Sequence, residues 1–205
     1  MKRFLPPVII FFITFFVYFA VGTQYSFKPK WAIDYFNPMA QSLIHFRLDI
    51  PNPAQTYDLI EFKGKWYTPW GILPAILLIP FQILKGRFIP AFYLSLLFSS
   101  LNTVVVLFLL KRLQREFLPQ LTNVFLCIIL IFFAFGTTQF YIGTLGSVWH
   151  VNQIVSSFFG TLGIFSIFKK NRKPIDYLIS SLCFGIGFLG RPTMLFLIFL
   201  PISLY

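Results

Sequence analysis

Charged residues interrupt this chain rarely, and their positions set its plan. Phe4 to Thr23 is a run of 20 residues without Asp, Glu, Lys or Arg, Phe88 to Leu110 gives 23 more, and Phe117 to Phe168 gives 52. A helix needs roughly 20 apolar residues to span a bilayer, so the first two runs match one crossing each and the third matches two. The pattern predicts an all-α fold, a polytopic transmembrane helical bundle built as a single domain over residues 1–205. Its expected elements are a helix at 4–23, helices at 88–110, 118–136, 149–168 and 174–190, and the start of a further helix at 192–205. Residues 24–70 are left as one large extracytoplasmic loop. Residues 71–84 form a short apolar stretch of 14 residues, broken by Pro74 and Pro80, which either crosses or dips into the membrane and returns.

Inside the loop the pattern changes period. Phe36, Met39, Ala40, Leu43 and Phe46 recur at helical spacing, while Asn37, Gln41, Ser42 and His45 fall on the other face. An interfacial helix is expected over Tyr35 to Phe46, with Asp34 just before its first turn, where an N-cap belongs. Pro51-Asn52-Pro53 reads as a turn. Trp66, Tyr67 and Trp70 read as an aromatic belt at the membrane–water interface.

Composition agrees with this class. The chain is 57% hydrophobic and 20% aromatic with only 11% charged residues, and its mean hydropathy is +0.77. A soluble domain is nearer one quarter charged. The net charge of +11 would suggest nucleic acid in a soluble chain; here no nucleic-acid partner is expected. The cations sit in clusters beside apolar runs, at Lys2-Arg3, at Lys111-Arg112 with Arg115, and at Lys169-Lys170 with Arg172-Lys173. Such clusters favour the cytoplasmic side and the anionic headgroups of membrane lipids. All three fall inside only if 71–84 re-enters, at the cost of leaving Lys85 and Arg87 outside. The expected localisation is the cell membrane, multi-pass, with the N-terminus cytoplasmic. A cleaved signal peptide ending near Ala20-Val21-Gly22 is the alternative for the first run, which is longer than the usual apolar core of such peptides. Cys127 and Cys183 lie in apolar runs and read as small buried hydrophobes.

Three stretches carry a resemblance. They are "DYFNPMAQSLIHFRLDIPNPAQTYDLIEFKGKWYTPWGILPAILLIPF", "GTLGSVWHVNQIVSSFFGTLGIF" and "GFLGRPTMLF". Together they resemble bacterial GT-C type integral membrane glycosyltransferases, relatives of protein O-mannosyltransferases and of lipid A aminoarabinose transferases. The resemblance implies transfer of a sugar from a polyprenyl-phosphate-linked sugar to an acceptor outside the cytoplasmic membrane. It also implies an Asp soon after the first helix, which Asp34 matches. Where many relatives carry two successive prolines after a Gly-Lys-Tyr-Tyr stretch, this chain has "TPWGILP". Relatives are also longer, so the chain reads as a fragment, a split enzyme or a minimal relative.

Four of the six acidic residues, Asp34, Asp49, Asp58 and Glu61, lie in the loop. Asp34 is the expected catalytic base, with plain helix capping as the other reading. Expected substrate contacts are Lys65, Tyr67, Asp58, His150 and Arg191. Lys65 and Arg191 would meet the carrier phosphate, Arg by a bidentate fork and Lys as a point charge; snorkelling to headgroups is their alternative fate. No cofactor is expected, a divalent metal being left open; the spacing of His and Cys gives no metal-ligand motif. Asp176, beside Lys173, reads as paired at the interface. A transporter of small molecules or lipids and a non-catalytic membrane assembly subunit remain the alternative functions. The oligomeric state is not legible.

Overall fold

A computed structural model describes residues 5–29, 33–86 and 88–204, without the side chains of Leu5 and Lys85. The basic residues Lys2, Arg3 and Arg87, and the Lys85 side chain, lie outside the described set. The protein is mainly helical. In chain order the elements are α1 (Leu5–Gly22), α2 (Phe36–Ile44), β1 (Ile60–Phe62), β2 (Lys65–Tyr67), α3 (Leu73–Lys85), α4 (Phe92–Glu116), α5 (Asn123–Gly136), α6 (Thr138–Gly143), α7 (Val148–Ile167) and α8 (Pro174–Gly190). A 3-10 turn (Pro192–Met194) then leads into α9 (Leu195–Leu204). Among the described residues only α4 is long and apolar enough to cross a membrane; α1, α5 and α8 are apolar but shorter.

Helix α4 packs against α1, α5 and α7, and α7 packs against α8. Ile10 of α1 packs against a cluster made by Leu107 and Leu110 of α4 with Leu126 and Leu130 of α5. At the other end of α1, Tyr18 donates its hydroxyl to the carbonyl of Ala134 at the end of α5. The C-termini of α4 and α7 and the N-terminus of α8 therefore gather at one end. There Glu116 pairs with Arg115 at 2.8 Å and accepts the Lys170 amide at 3.0 Å. Asp176 is paired too: Lys169 lies 2.5 Å from it, and it accepts the Lys173 amide at 2.6 Å. Arg112 lies over the Phe165 ring at 3.8 Å and donates to the Phe165 carbonyl.

Everything from α2 to α3 sits at the opposite end. The Gly71 amide, just before α3, donates to the Gly190 carbonyl at the end of α8, at 3.1 Å. The far end of α3 returns to the same region, where Gln82 donates to the carbonyl of Asn37 on α2 at 2.9 Å. With 13 residues at 1.5 Å each, α3 is roughly 20 Å long, against a hydrocarbon core of about 30 Å. Gly86, in the left-handed region at φ +58°, closes it.

Several local features depart from the sequence reading. Helix α2 stops at Ile44, and Phe46 is 99% exposed with φ +55°. Asn37 and Ser42, expected on the polar face, are buried, because α2 packs against α3 and is not laid out on a free interface. Helix α4 runs past residue 110, where it was expected to end, and takes the basic run Lys111–Arg115 into its last turns. The third long apolar run includes an extra short helix, α6. A hairpin also forms. Lys63 and Gly64 both have positive φ, 51° and 71°, the backbone of a two-residue type I′ turn, and they pair Phe62 with Lys65 and Ile60 with Tyr67. Cys127 is exposed on α5, whereas Cys183 is buried.

Gly71 is the tightest point of this end. A Cβ there would lie 2.0 Å from the Leu189 carbonyl oxygen, which is backbone and cannot swing aside. Gly71→Ala is expected to lower stability by about 1–3 kcal/mol. Gly185→Ala, whose methyl meets nothing within 4 Å, should leave stability equal or raised. Thermal unfolding of the two purified variants checks the contrast.

Candidate functional site

The site grows from the start of α2. Asp34 accepts the Phe36 amide at 2.9 Å and the Asn37 amide at 3.2 Å through Oδ1. These are donors of the first helical turn, which has no partners within the helix. Its other oxygen, Oδ2, accepts from the side chain of Asn37. The Asn37 amide nitrogen also donates to the Ile89 carbonyl at 2.8 Å. Its Oδ1 accepts from Gln82 at 3.2 Å and from the Ile89 amide at 3.3 Å. Asp34 is half-buried beside this knot. Burial pushes its carboxyl above the ordinary value of 3.8, and the bonds from Asn37 and Phe36 oppose that rise without cancelling it.

Asp34 lines a cavity of about 700 Å³, within the usual range for a small-molecule site. The wall combines Ile33, Tyr35 and Pro38 with the amides of Gln41, Asn52 and Gln55. Asn52 takes φ +45° in the Pro51-Asn52-Pro53 turn, a conformation Asn tolerates better than most residues. Phe88 closes one side of the cavity and also lines a second, apolar cavity of about 530 Å³ between α3 and α4, with Leu78, Phe81, Tyr93 and Leu97.

The other residues expected at the site lie outside the walls of both cavities. Tyr35, next to Asp34, stacks on Trp70 at 6.3 Å, and Trp70 meets Trp149 edge-on at 5.9 Å. Arg191 donates to the Trp149 carbonyl at 3.1 Å and keeps a buried Nε without a hydrogen-bond partner. His150 shares a hydrogen bond with Ser147 and meets the Tyr141 ring at 5.7 Å. His150 and Arg191 are thus brought together, two aromatic rings away from Tyr35. Asp58 lies near the Tyr35 hydroxyl, which donates to the Tyr57 carbonyl at 2.6 Å. Lys65 is exposed and Tyr67 half-buried on β2, beside the Arg47–Asp49 pair. Arg47 grips both oxygens of the buried Asp49 and holds its carboxyl below the usual range. The hairpin reaches the cavity wall through Ile50, whose amide donates to the Trp66 carbonyl at 2.8 Å. Among the described residues no group of three or more His, Cys, Asp or Glu side chains could hold a metal ion.

Asn37, Gln82 and the amide-rich wall were not expected. One signal for Asn37 was present: Asp34 and Asn37 stand three apart at a helix start, the spacing of a capping box.

No protein-family profile, curated protein or solved structure matches the chain.

A carboxyl that binds its proton more tightly in the folded than in the unfolded state adds stability below its ordinary range. That contribution is lost as pH rises through the folded value. The stability margin of the parent over Asp34→Asn, which does not titrate, should therefore be largest below pH 3.8 and shrink as pH rises above it. Thermal unfolding of both proteins across that range reads it. A margin independent of pH would contradict the raised value.

Proposed function

We propose that this protein is a multi-pass membrane glycosyltransferase that moves a sugar from a polyprenyl-phosphate carrier to an acceptor outside the cytoplasmic membrane. The observation that carries the reading is a half-buried carboxylate with a raised titration point, Asp34, on the wall of a cavity that adjoins an apolar groove across Phe88. An amphiphilic donor has that shape, a polar head joined to an apolar chain.

Two features support the membrane setting. Apolar side chains face outward along α1 at Phe12, Ile13 and Phe16, along α5 at Val124, Ile128 and Phe132, and along α8 at Leu178 and Leu182. Exposed apolar surface on this scale marks a membrane or a large interface. The basic clusters on α4 and between α7 and α8 share one end, away from Asp34. With that end cytoplasmic, Asp34 faces outward, and the resemblance to GT-C enzymes assigns it the same side.

In this reading the acceptor hydroxyl gives its proton to Asp34 as its oxygen attacks the anomeric carbon. The bond from that carbon to the carrier phosphate breaks, and the phosphate leaves with the electron pair. A carboxylate raised toward the working pH is a better base than one at its ordinary value. The two cations expected for the departing phosphate, Arg191 and Lys65, line neither cavity.

The test is transfer by purified protein with a polyprenyl-phosphate sugar as donor. Asp34→Asn should lower turnover by roughly 10²–10⁴-fold, the usual worth of a general base, at near-normal protein level. Turnover by Asp34→Asn close to that of the parent would leave Asp34 only its capping role.

A further inference from the structure

Asn37 is 1% exposed, and each of its side-chain hydrogen-bonding positions is in use. Its two amide hydrogens go to Asp34 Oδ2 and the Ile89 carbonyl, and its oxygen accepts from Gln82 and the Ile89 amide. An Asn side chain offers two donors and two acceptor lone pairs, so none is left over. Its main-chain carbonyl takes a further bond from Gln82 at 2.9 Å. One residue thereby joins the start of α2, the end of α3 and the segment that enters α4.

We propose that Asn37 is a positioning residue that fixes which way the Asp34 carboxylate points, holding it at the cavity wall and tying that direction to α3 and to the segment before α4. This rests on the reading of Asp34 as the base. Helix capping alone is already met by Oδ1, which takes both backbone amides. The bond from Asn37 lands on Oδ2, the oxygen that capping leaves free, so it sets the rotation of the carboxylate about its last bond. Gln82 supports Asn37 without touching Asp34. Segments 33–35 and 88–89, which flank the two cavities, are linked through this knot.

The bond also favours the charged carboxylate. Tyr35, the titratable residue beside Asp34 just before α2, has Asp58 near its hydroxyl. From α3 and the segment before α4 come Gln82 and the backbone of Ile89, which do not titrate.

The experiment follows the titration of Asp34 in purified, detergent-solubilised full-length protein, by the infrared carboxyl band that vanishes in Asp34→Asn. Asn37→Ala should move that titration upward by roughly one pH unit. Gln82→Met, which keeps length and removes the donor, should move it the same way by less, and it serves where Asn37→Ala does not fold. With a polyprenyl-phosphate sugar as donor, both variants should lower kcat more than they change KM, and the acid limb of the pH–rate profile should shift with the infrared band. A titration unmoved in a folded Asn37→Ala or Gln82→Met protein would overturn the proposal. A shifted titration in proteins that transfer no sugar, the parent included, would uphold the positioning role and reject the transferase reading.

Discussion

The hydrogen bonds around Asn37 are the constraint on which this end of the molecule depends. An unpaired amide buried there would cost about 1–3 kcal/mol for each group left without a partner. Asn37 therefore binds all its partners at once, and they come from three separate stretches of chain: Asp34, Gln82 and Ile89. Satisfying one buried side chain thus specifies where α2 begins, where α3 ends and how the chain enters α4. The cavity wall that Asp34 occupies is a consequence of that knot as much as of the loop that completes it.

A second constraint is the anchoring of α3, whose two ends both meet partners at the same end of the molecule. Its N-terminal side rests on the end of α8, with the Gly71 amide on the Gly190 carbonyl, and its C-terminal side reaches Asn37. The charges separate accordingly. Glu116 and Asp176 are each paired with basic residues where α4, α7 and α8 meet. Asp34 stands at the other end, where its bonds come from amides. A carboxylate that is buried but not ion-paired can keep a raised titration point and so act as a base, whereas an ion-paired one is held ionised and weak. This difference in partners, more than the identity of the residue, separates Asp34 from Asp49 and Asp176.

Much of the helical plan was legible, because apolar runs without charge state helix positions directly. The helices expected at 88–110, 118–136 and 149–168 correspond to α4, α5 and α7, with boundaries moved by a few residues. The capping position of Asp34 was legible too, since a carboxylate before a periodic apolar stretch has few other uses. The tertiary partners were not. Asn37 read as a solvent-facing position because periodicity reports which residues are apolar, not which polar residues find enough partners to be buried. The hairpin was hidden in an aromatic, basic stretch whose signal was only Lys63-Gly64. The candidate substrate contacts were collected by side of the membrane, which sequence can suggest. Whether they share a cavity depends on loop packing, and Trp70 and Trp149 stand between Tyr35 and Arg191.

The central claim is that the polar cavity at Asp34 and the apolar groove beside it receive the two parts of one lipid-linked donor. Photocrosslinking tests it most directly, using a polyprenyl-phosphate sugar that carries a diazirine in its first isoprene units, with the labelled peptides identified by mass spectrometry. The account predicts labelling concentrated on the groove residues of α3 and of the segment entering α4, around Leu78, Phe81, Phe88 and Tyr93, reduced by excess unlabelled carrier. Labelling confined to the outward apolar faces of α1 and α5, and unaffected by excess carrier, would contradict it.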